Sequence, residues 1–551
     1  MKKSQINPLQ SSGATLHSSP TIKTARFLSI NYSQHSKQNT RWSIQSLANN
    51  AEPISTNHQQ YGAIAPQLAN AHDLLMSSSL IDKQSEDCLN LNIYSNTLTA
   101  RSTLNCTIKS QEEFQVENAK LRPVMVWIHG GGFTIGSGSL PIYEGSNLAA
   151  ATNCLVVTLN YRLGALGFLR LKDITNQAIN STGNEGLADQ ILALQWLQEN
   201  IHRYGGDKNN ITLFGESAGA MSIACLLAMP KAKGLFHKVI MQSGAGHTFN
   251  TVAQANEVAK EFLVSAKALG LLTSAEKLKQ KPGKDQALKE LAQQLQQLTT
   301  TQILSIQAHF TARADIYSKF GILPFKPVIG DADLPLAPYE AIRQGWAKNI
   351  PMITGSNTDE WTLFAAMLKQ NITEESVLDH WLTSLMGRDK VTDTKVLMNK
   401  QCKKRHIKPS MQNLLSETLT EFWFSQPSHR LANAQITAGG AAYRYKLGRK
   451  TVIPTLRCTH ITDLGLVFNN LASTFHGDEP RVAELVIEIQ RHWGNFAYFG
   501  IPENTDCPWP TFTNESPELM FFDHHKTYIQ TMAVEKIEFW STVTDKQLAS
   551  F

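Results

Sequence analysis

The sequence lacks the features that define several large classes of protein. No apolar run approaches the roughly 18 residues of a membrane-spanning helix, and the nearest candidate, residues 147–161, is interrupted by polar residues. The basic start of the chain is not followed by an apolar segment, so we expect no secretion signal. Lys and Arg form no dense block except at 400–408, and the net charge is only +5. We therefore expect neither an integral membrane protein nor a nucleic-acid-binding protein.

Cysteine is scarce and widely spaced. The seven cysteines stand at positions 88, 106, 154, 225, 402, 458 and 507, with no C-x-x-C pair among them. That pattern argues against a zinc ribbon, a dithiol redox centre and a disulfide framework. We expect reduced thiols and a cytoplasmic location.

What the chain does contain is an alternation of strand-like and helix-like segments. Hydrophobic residues make up 42% of its 551 residues, enough for a large buried core. Continuous apolar runs alternate with amphipathic stretches, a pattern that predicts a mostly parallel sheet with helices on both faces. The predicted strands lie within residues 123–130, 153–161, 211–217, 237–244, 350–361 and 441–448.

One large domain fits this alternation better than two. Residues 1–25 are rich in Ser, Gln, Asn and Thr and are expected to form a weakly ordered leader. Residues 26–545 are expected to form a single α/β domain. Charged or Gln-rich helical stretches predict a helical excursion around 255–320, and cap segments are expected around 365–435.

A serine stands between two glycines where a predicted strand meets a predicted helix. The segment Gly215-Glu216-Ser217-Ala218-Gly219 has the G-x-S-x-G pattern of a nucleophile elbow. Glycines let the strand and the helix approach closely, while the serine occupies a strained turn. An inert Gly/Ser turn is the alternative, and the flanking strand and helix favour the elbow.

A serine nucleophile needs a base, and the base needs an acid to orient it. In this architecture the acid and then the histidine follow the serine in the chain. Asp359 and Glu360 both follow a predicted strand, and His460 lies in a polar loop before an apolar run. These positions leave the choice between the two acids open, and a surface or structural role is the alternative for His460.

A glycine run directly follows the predicted strand at 123–130. Backbone N–H groups in such a run can stabilise an oxyanion. A dinucleotide-binding G-x-G-x-x-G is excluded because residue 135 is Ile. A flexible turn is the remaining alternative.

Taken in order, these motifs resemble the type-B carboxylesterase family, which also contains cholinesterases and bile-salt-activated lipases. The resemblance implies an α/β-hydrolase fold, with a large mostly parallel central sheet, helices on both faces and helical insertions over the active site. The matching motifs are SEDCLNLNIY, HGGGF, YEGSNLA, NYRLGALGF, GNEGLADQILALQW, NITLFGESAGA, GLFHKVIMQSG, NTDEW, CTHITDLGLVF and WGNFAYFGIP.

The resemblance implies a role for each candidate residue. Ser217 would be the nucleophile and His460 the base, and Glu360 would be the acid because it is the second residue of the D-E pair. The backbone amides of Gly131, Gly132 and Ala218 would be the oxyanion donors. Glu216 would lie near the nucleophile, with a structural carboxylate as the alternative.

The function implied is that of a serine carboxylesterase, which hydrolyses carboxylic esters through an acyl-enzyme. Its partner would be a small-molecule ester, without metal or organic cofactor, and the protein would be a monomer or a weak homo-oligomer. A lipase or amidase of the same fold is the alternative, followed by a non-catalytic binding member.

The resemblance also implies structural details and departures. Arg162 with Asp189, and Arg41 with Glu86, fall where the family has buried ion pairs. Cys88 occupies a disulfide position of the family but has no cysteine upstream of it, which implies an unbridged, bacterial-type member. Residues 71–84 contain no counterpart of the tryptophan that binds choline, so cholinesterase activity is not expected.

Overall fold

The computed structural model describes residues 24–34, 40–48, 60–68, 83–96, 121–273, 284–503 and 508–549. Its strands form one large sheet and one small sheet. The strands are β1 Thr24–Asn31, β2 Asn90–Asn96, β3 Arg122–Ile128, β4 Leu155–Leu159, β5 Gly206–Glu216, β6 Lys238–Gln242, β7 Asn250–Thr251, β8 Val328–Ile329, β9 Met352–Asn357, β10 Ala442–Leu447, β11 Glu518–Phe522 and β12 Thr527–Thr531.

The large sheet has ten strands in the order β1-β2-β4-β3-β5-β6-β9-β10-β11-β12. Neighbours from β4 to β11 pair in parallel, and β1, β2 and β12 are antiparallel at the two edges. The small sheet pairs β7 with β8. Each of the six strands predicted from hydrophobic runs is confirmed, as is the mostly parallel sheet.

Both faces of the sheet are covered, because alternate residues of each central strand point to opposite sides. In β3, Val124, Val126 and Ile128 belong to one buried cluster, whereas Met125 and Trp127 belong to another. A third cluster lies among the helices around residues 361–424 and 540–548. The core therefore has two layers, with a separate apolar cluster among the helices of residues 361–424 and 540–548.

Helices surround the sheet on both sides. Helices contributing to the first cluster include Gly164–Phe168, Glu185–Asn200, Ala218–Leu227, Val252–Ala268, Lys284–Gln297, Thr300–Ala312, Ala314–Phe320, Pro338–Arg343 and Gln426–Thr437. Ser146–Thr152, Thr462–Phe468 and Pro480–Phe499 contribute to the second. The third cluster is built from Trp361–Met367, Glu375–Met386, Val391–Lys404, Met411–Thr420, Val534–Ser541 and Asp545–Leu548. A short helix, Ser473–His476, completes the set.

Among the described residues, helices and non-helical stretches both occur in the ranges 255–320 and 365–435. Residues 1–23 of the expected leader lie outside the described residues, as do residues 69–82, where the choline-binding tryptophan of the family would fall. In the described part of the chain no helix has both the length and the apolar character needed to cross a membrane.

Both expected ion pairs are present. Arg162 donates to Asp189 through Nε at 2.7 Å and Nη2 at 2.6 Å, and both side chains are buried. Arg41 donates through Nε to Glu86 at 2.7 Å. Five cysteines, at 88, 154, 225, 402 and 458, are free and buried, whereas Cys106 and Cys507 lie outside the described residues.

Candidate active site

Ser217 occupies a sharp turn between β5 and the helix Ala218–Leu227. Its φ of 54° and ψ of −124° are strained for a residue with a Cβ. The flanking glycines allow the turn: a Cβ would lie 2.7 Å from the carbonyl oxygen of Ile128 if placed on Gly215, and 1.9 Å if placed on Gly219. The strand–turn–helix predicted for the G-x-S-x-G segment is confirmed.

His460 and Glu360 meet at the carboxyl end of the sheet, 100 residues apart in the chain. Nδ1 of His460 lies 2.6 Å from Oε2 of Glu360, and both side chains are buried. The other oxygen of Glu360 accepts hydrogen bonds from Ser243 Oγ and from the Asn357 amide, each at 2.6 Å. The carboxylate is therefore held by three donors, and it fixes the imidazole with Nδ1–H as its donor.

The neighbouring acid, Asp359, contacts two arginines instead of the imidazole. Its Oδ2 accepts from Arg405 Nη2 at 2.6 Å, and its Oδ1 lies 2.7 Å from Arg457 Nε. The choice that the sequence pattern left open between two acids thus has a geometric answer: Glu360 contacts the imidazole, and Asp359 belongs to a buried ion-pair cluster.

The second nitrogen of His460 lies beside the residue that precedes the serine. Nε2 is 3.0 Å from Oε1 of Glu216 but makes no hydrogen bond within the described part of the chain, and so none to Ser217. Gly130 makes room here, because a Cβ on it would lie 2.7 Å from Glu216 Oε2 and 3.1 Å from Ser217 Cβ. Glu216 therefore lies between the start of the glycine loop and the imidazole.

Burial and mutual repulsion shape the electrostatics of this cluster. Burial raises the pKa of Glu216 to about 8 and that of Asp463 to about 6. Burial lowers the pKa of His460, but the nearby carboxylates of Glu216 and Glu360 raise it by more than burial lowers it. The net effect is a pKa raised to about 9. The protonated imidazole is thus stabilised by the acids around it.

The glycine run after β3 forms a tight loop. Gly131 and Gly132 have φ of 109° and 60°, and the carbonyl of Gly131 accepts from the amides of Thr134 and Ile135, each at 3.1 Å. Within the described ranges, the amides of Gly131 and Gly132 donate to no protein acceptor. Ala218 is the first residue of its helix, where an amide lacks an intrahelical partner.

Two aromatic side chains pack against the imidazole of His460. The ring of Phe424 lies 4.7 Å from that of His460, and the ring of Phe364 lies 5.0 Å from it. Phe424 belongs to a π-helical turn, Glu421–Ser425, an irregularity often found at functional sites. The two rings contribute to the burial of His460, whose side chain is only slightly exposed.

Ser243, Asn357, Asp463 and Phe424 also belong to the site, and the sequence did not predict a functional role for them. The first three are polar residues near strand ends or inside motifs that were recognised, and their partners lie far away in the chain. Among the described residues no cluster of three or more His, Cys, Asp or Glu side chains is placed to hold a metal ion.

Comparison with known proteins gives a consistent result. A sequence profile of the carboxylesterase family matches residues 10–540. The para-nitrobenzyl esterase of Bacillus subtilis (strain 168) is 35% identical over 476 residues, which cover 85% of this chain and 85% of that protein. The liver carboxylesterase of Sus scrofa is 30% identical over 486 residues, covering 84% of this chain and 78% of that protein.

Solved structures agree with the sequence relatives. A PNB esterase superposes with a TM-score of 0.74 at 29% identity, covering 95% of this chain and 96% of that chain. The resemblance inferred from the motifs is confirmed, and so is the α/β-hydrolase fold that it implied.

Proposed function

We propose that this chain, which belongs to the carboxylesterase family, hydrolyses carboxylic esters to acid and alcohol through an acyl-enzyme formed on Ser217. Glu360 and His460 complete the proposed triad, and the amides of Gly131, Gly132 and Ala218 are the proposed oxyanion donors. The substrate is a small-molecule ester.

In the first half of the reaction, Ser217 Oγ attacks the ester carbonyl carbon while Nε2 of neutral His460 takes its proton. Glu360 stabilises the imidazolium through Nδ1–H. The three backbone amides stabilise the negative oxygen of the tetrahedral intermediate. When this collapses, the C–O bond to the alcohol breaks, and the departing oxygen takes the proton from His460.

In the second half, a water molecule gives its proton to His460 and attacks the acyl carbon. The second tetrahedral intermediate releases the carboxylic acid, and the proton returns to Ser217 Oγ. Each half uses the same base and oxyanion donors, so no metal or organic cofactor enters the scheme.

The observation that carries this proposal is the 2.6 Å contact between His460 Nδ1 and Glu360 Oε2, both buried, beside the strained turn of Ser217. An imidazole with Nδ1 held by a carboxylate presents Nε2 as its basic atom. Here Nε2 faces Glu216 at 3.0 Å. A small shift of the ring toward Ser217 on substrate binding is in keeping with the looser geometry of substrate-free sites.

The proposal is tested with p-nitrophenyl butyrate and a fluorophosphonate probe that reacts with activated serines. We expect the unmodified protein to hydrolyse the ester and to take up one probe, and Ser217→Ala to do neither. Ser222→Ala is the matched control, because Ser222 lies in the same helix and hydrogen bonds to Gln190, outside the proposed machinery. Undiminished hydrolysis by Ser217→Ala would refute the mechanism.

The same assay, extended to a triolein emulsion and an anilide, separates the alternatives. A non-catalytic binding member would neither react with the probe nor hydrolyse the ester. A lipase would show a higher rate on a triolein emulsion than on dissolved short-chain esters, and an amidase would cleave the corresponding anilide at a comparable rate.

A further inference from the structure

A third buried acid, Asp463, belongs to the same electrostatic cluster as His460 and Glu360. Asp463 is 3% exposed and stands three residues after His460, in the first turn of the helix Thr462–Phe468. A carboxylate buried this deeply costs free energy unless it is well hydrogen-bonded. The hydrogen-bond partners of Asp463 therefore indicate its role.

The first partner of Asp463 connects it to the nucleophile. Gln242, at the end of β6, donates from Nε2 to Asp463 Oδ2 at 2.8 Å. The main-chain carbonyl of the same glutamine accepts from the amide of Ser217 at 2.9 Å. Asp463 thus orients Gln242, the residue whose carbonyl is hydrogen-bonded to the amide of Ser217.

The second partner connects Asp463 to the other two members of the proposed triad. Asn357, at the end of β9, donates from Nδ2 to the carbonyl of His460 at 3.0 Å, and the same nitrogen lies 3.5 Å from Asp463 Oδ1. The amide of Asn357 donates to Glu360 Oε1 at 2.6 Å. One asparagine therefore holds Glu360 and His460 while contacting Asp463.

We propose that Asp463 is a positioning residue: through Gln242 and Asn357 it fixes Ser217, Glu360 and His460 relative to one another, and its buried negative charge stabilises the protonated imidazole. This inference rests on the function proposed above. Asp463 touches neither the reacting atoms nor the substrate in that scheme.

The surroundings of Asp463 favour this role. The titratable groups that face it are His460, Glu360, Glu216 at the end of β5, Tyr445 on β10 and Tyr143. Burial raises the pKa of both tyrosines well above its usual range, so they stay neutral. The Tyr445 hydroxyl donates to Asp463 Oδ2 at 3.3 Å. Because the pKa of Asp463 is about 6, the group carries its charge in neutral and alkaline solution.

The test compares Asp463→Asn with the charge-restoring Asp463→Glu in the full-length protein. Removing the charge destabilises the imidazolium, so we expect the rising limb of kcat/KM against pH to move to lower pH by about half a unit to one unit in Asp463→Asn. We also expect kcat to fall about tenfold with little change in KM. Asp463→Glu is expected to return the midpoint to that of the unmodified protein, although kcat stays reduced.

Two further variants distinguish charge from packing. Tyr445→Phe removes the 3.3 Å hydrogen bond but leaves the charge, so the midpoint should stay in place. Gln242→Met keeps the main-chain hydrogen bond to Ser217 but removes the side-chain hydrogen bond to Asp463, so it should lower kcat without moving the midpoint. It also provides the test if Asp463→Asn does not fold.

An unchanged midpoint in Asp463→Asn, or an unchanged kcat in Gln242→Met, would overturn the inference. Either outcome is distinct from failure of the proposed function, because that failure would appear as retained activity in Ser217→Ala. A protein whose activity depends on Ser217 but not on Asp463 contradicts only the positioning role.

Discussion

Gly219 faces the main-chain carbonyl of Ile128 so closely that a Cβ at residue 219 would lie 1.9 Å from its oxygen. This contact brings the helix that follows Ser217 against the end of β3, next to the glycine loop. Real Cβ atoms do not approach backbone oxygen at that distance, so the helix and the strand must separate if the glycine is replaced.

We therefore expect Gly219→Ala to lower the free energy of unfolding by about 3 kcal/mol and to abolish most activity, because the turn at Ser217 moves relative to the proposed oxyanion donors in the glycine loop. Denaturant unfolding followed by circular dichroism measures the first effect. Gly270→Ala is the control. Gly270 also has a positive φ, of 70°, but a Cβ there meets nothing within 4 Å, so this variant carries the backbone strain without the steric clash. Gly270→Ala should lower the free energy of unfolding by about 1 kcal/mol and leave activity intact. Equal losses in the two variants would contradict the explanation.

The adjacent acids Asp359 and Glu360 provide a matched pair of substitutions. Glu360→Gln keeps the size of the side chain but removes the charge that faces Nδ1 of His460, and we expect kcat to fall about 10³- to 10⁴-fold with the fold intact. Asp359→Asn leaves Arg405 and Arg457 without their shared partner, so it should lower stability by about 3 kcal/mol and leave kcat within severalfold. Steady-state kinetics and thermal unfolding distinguish the two variants. A large loss of kcat in Asp359→Asn but not in Glu360→Gln would make Asp359 the functional acid.

The pH dependence of kcat/KM follows from the acids around His460. The reaction needs neutral imidazole, and the pKa of His460 is raised to about 9 because the carboxylates of Glu216 and Glu360 outweigh the effect of burial. The active form therefore increases as pH rises, and we expect kcat/KM to climb from pH 7 to about 9. Initial rates with p-nitrophenyl butyrate, corrected for spontaneous hydrolysis, measure this. A profile that is flat between pH 6 and 9 would contradict it.

The buried pair of Arg162 and Asp189 is expected to be structural. Asp189→Asn leaves the guanidinium buried with a weaker partner, and we expect a loss of about 3–5 kcal/mol in the free energy of unfolding. Because Asp189 lies away from the proposed triad, kcat per folded molecule should stay close to that of the unmodified protein. Thermal unfolding and active-site titration with the fluorophosphonate probe measure the two quantities, and a stable variant with a low kcat would point to a functional role.

Much of the fold and of the site could be predicted from local pattern. Continuous apolar runs identified the central strands, since a parallel sheet buried on both faces leaves no room for alternating polar residues. The edge strands β1 and β12, and β11 beside β12, were not identified from hydrophobic runs. They contain partly exposed residues, so their composition does not distinguish them from loops.

The sequence by itself determined the elbow and the glycine loop, because each depends on residues that are neighbours in the chain. The order of serine, acid and histidine was predicted from the expected architecture. The family resemblance implied Glu360 rather than Asp359, but only the tertiary structure decided which partners each acid has: Glu360 faces His460, and Asp359 pairs with two arginines. Only the tertiary structure, too, showed that Asp463, Gln242 and Asn357 connect the three candidates. The physical reason is that a hydrogen bond reaches about 3 Å, and the chain segments that meet at that distance here are separated by up to 221 residues. Adjacent acids have the same local pattern, and only the packing of strands from distant parts of the chain gives them different partners.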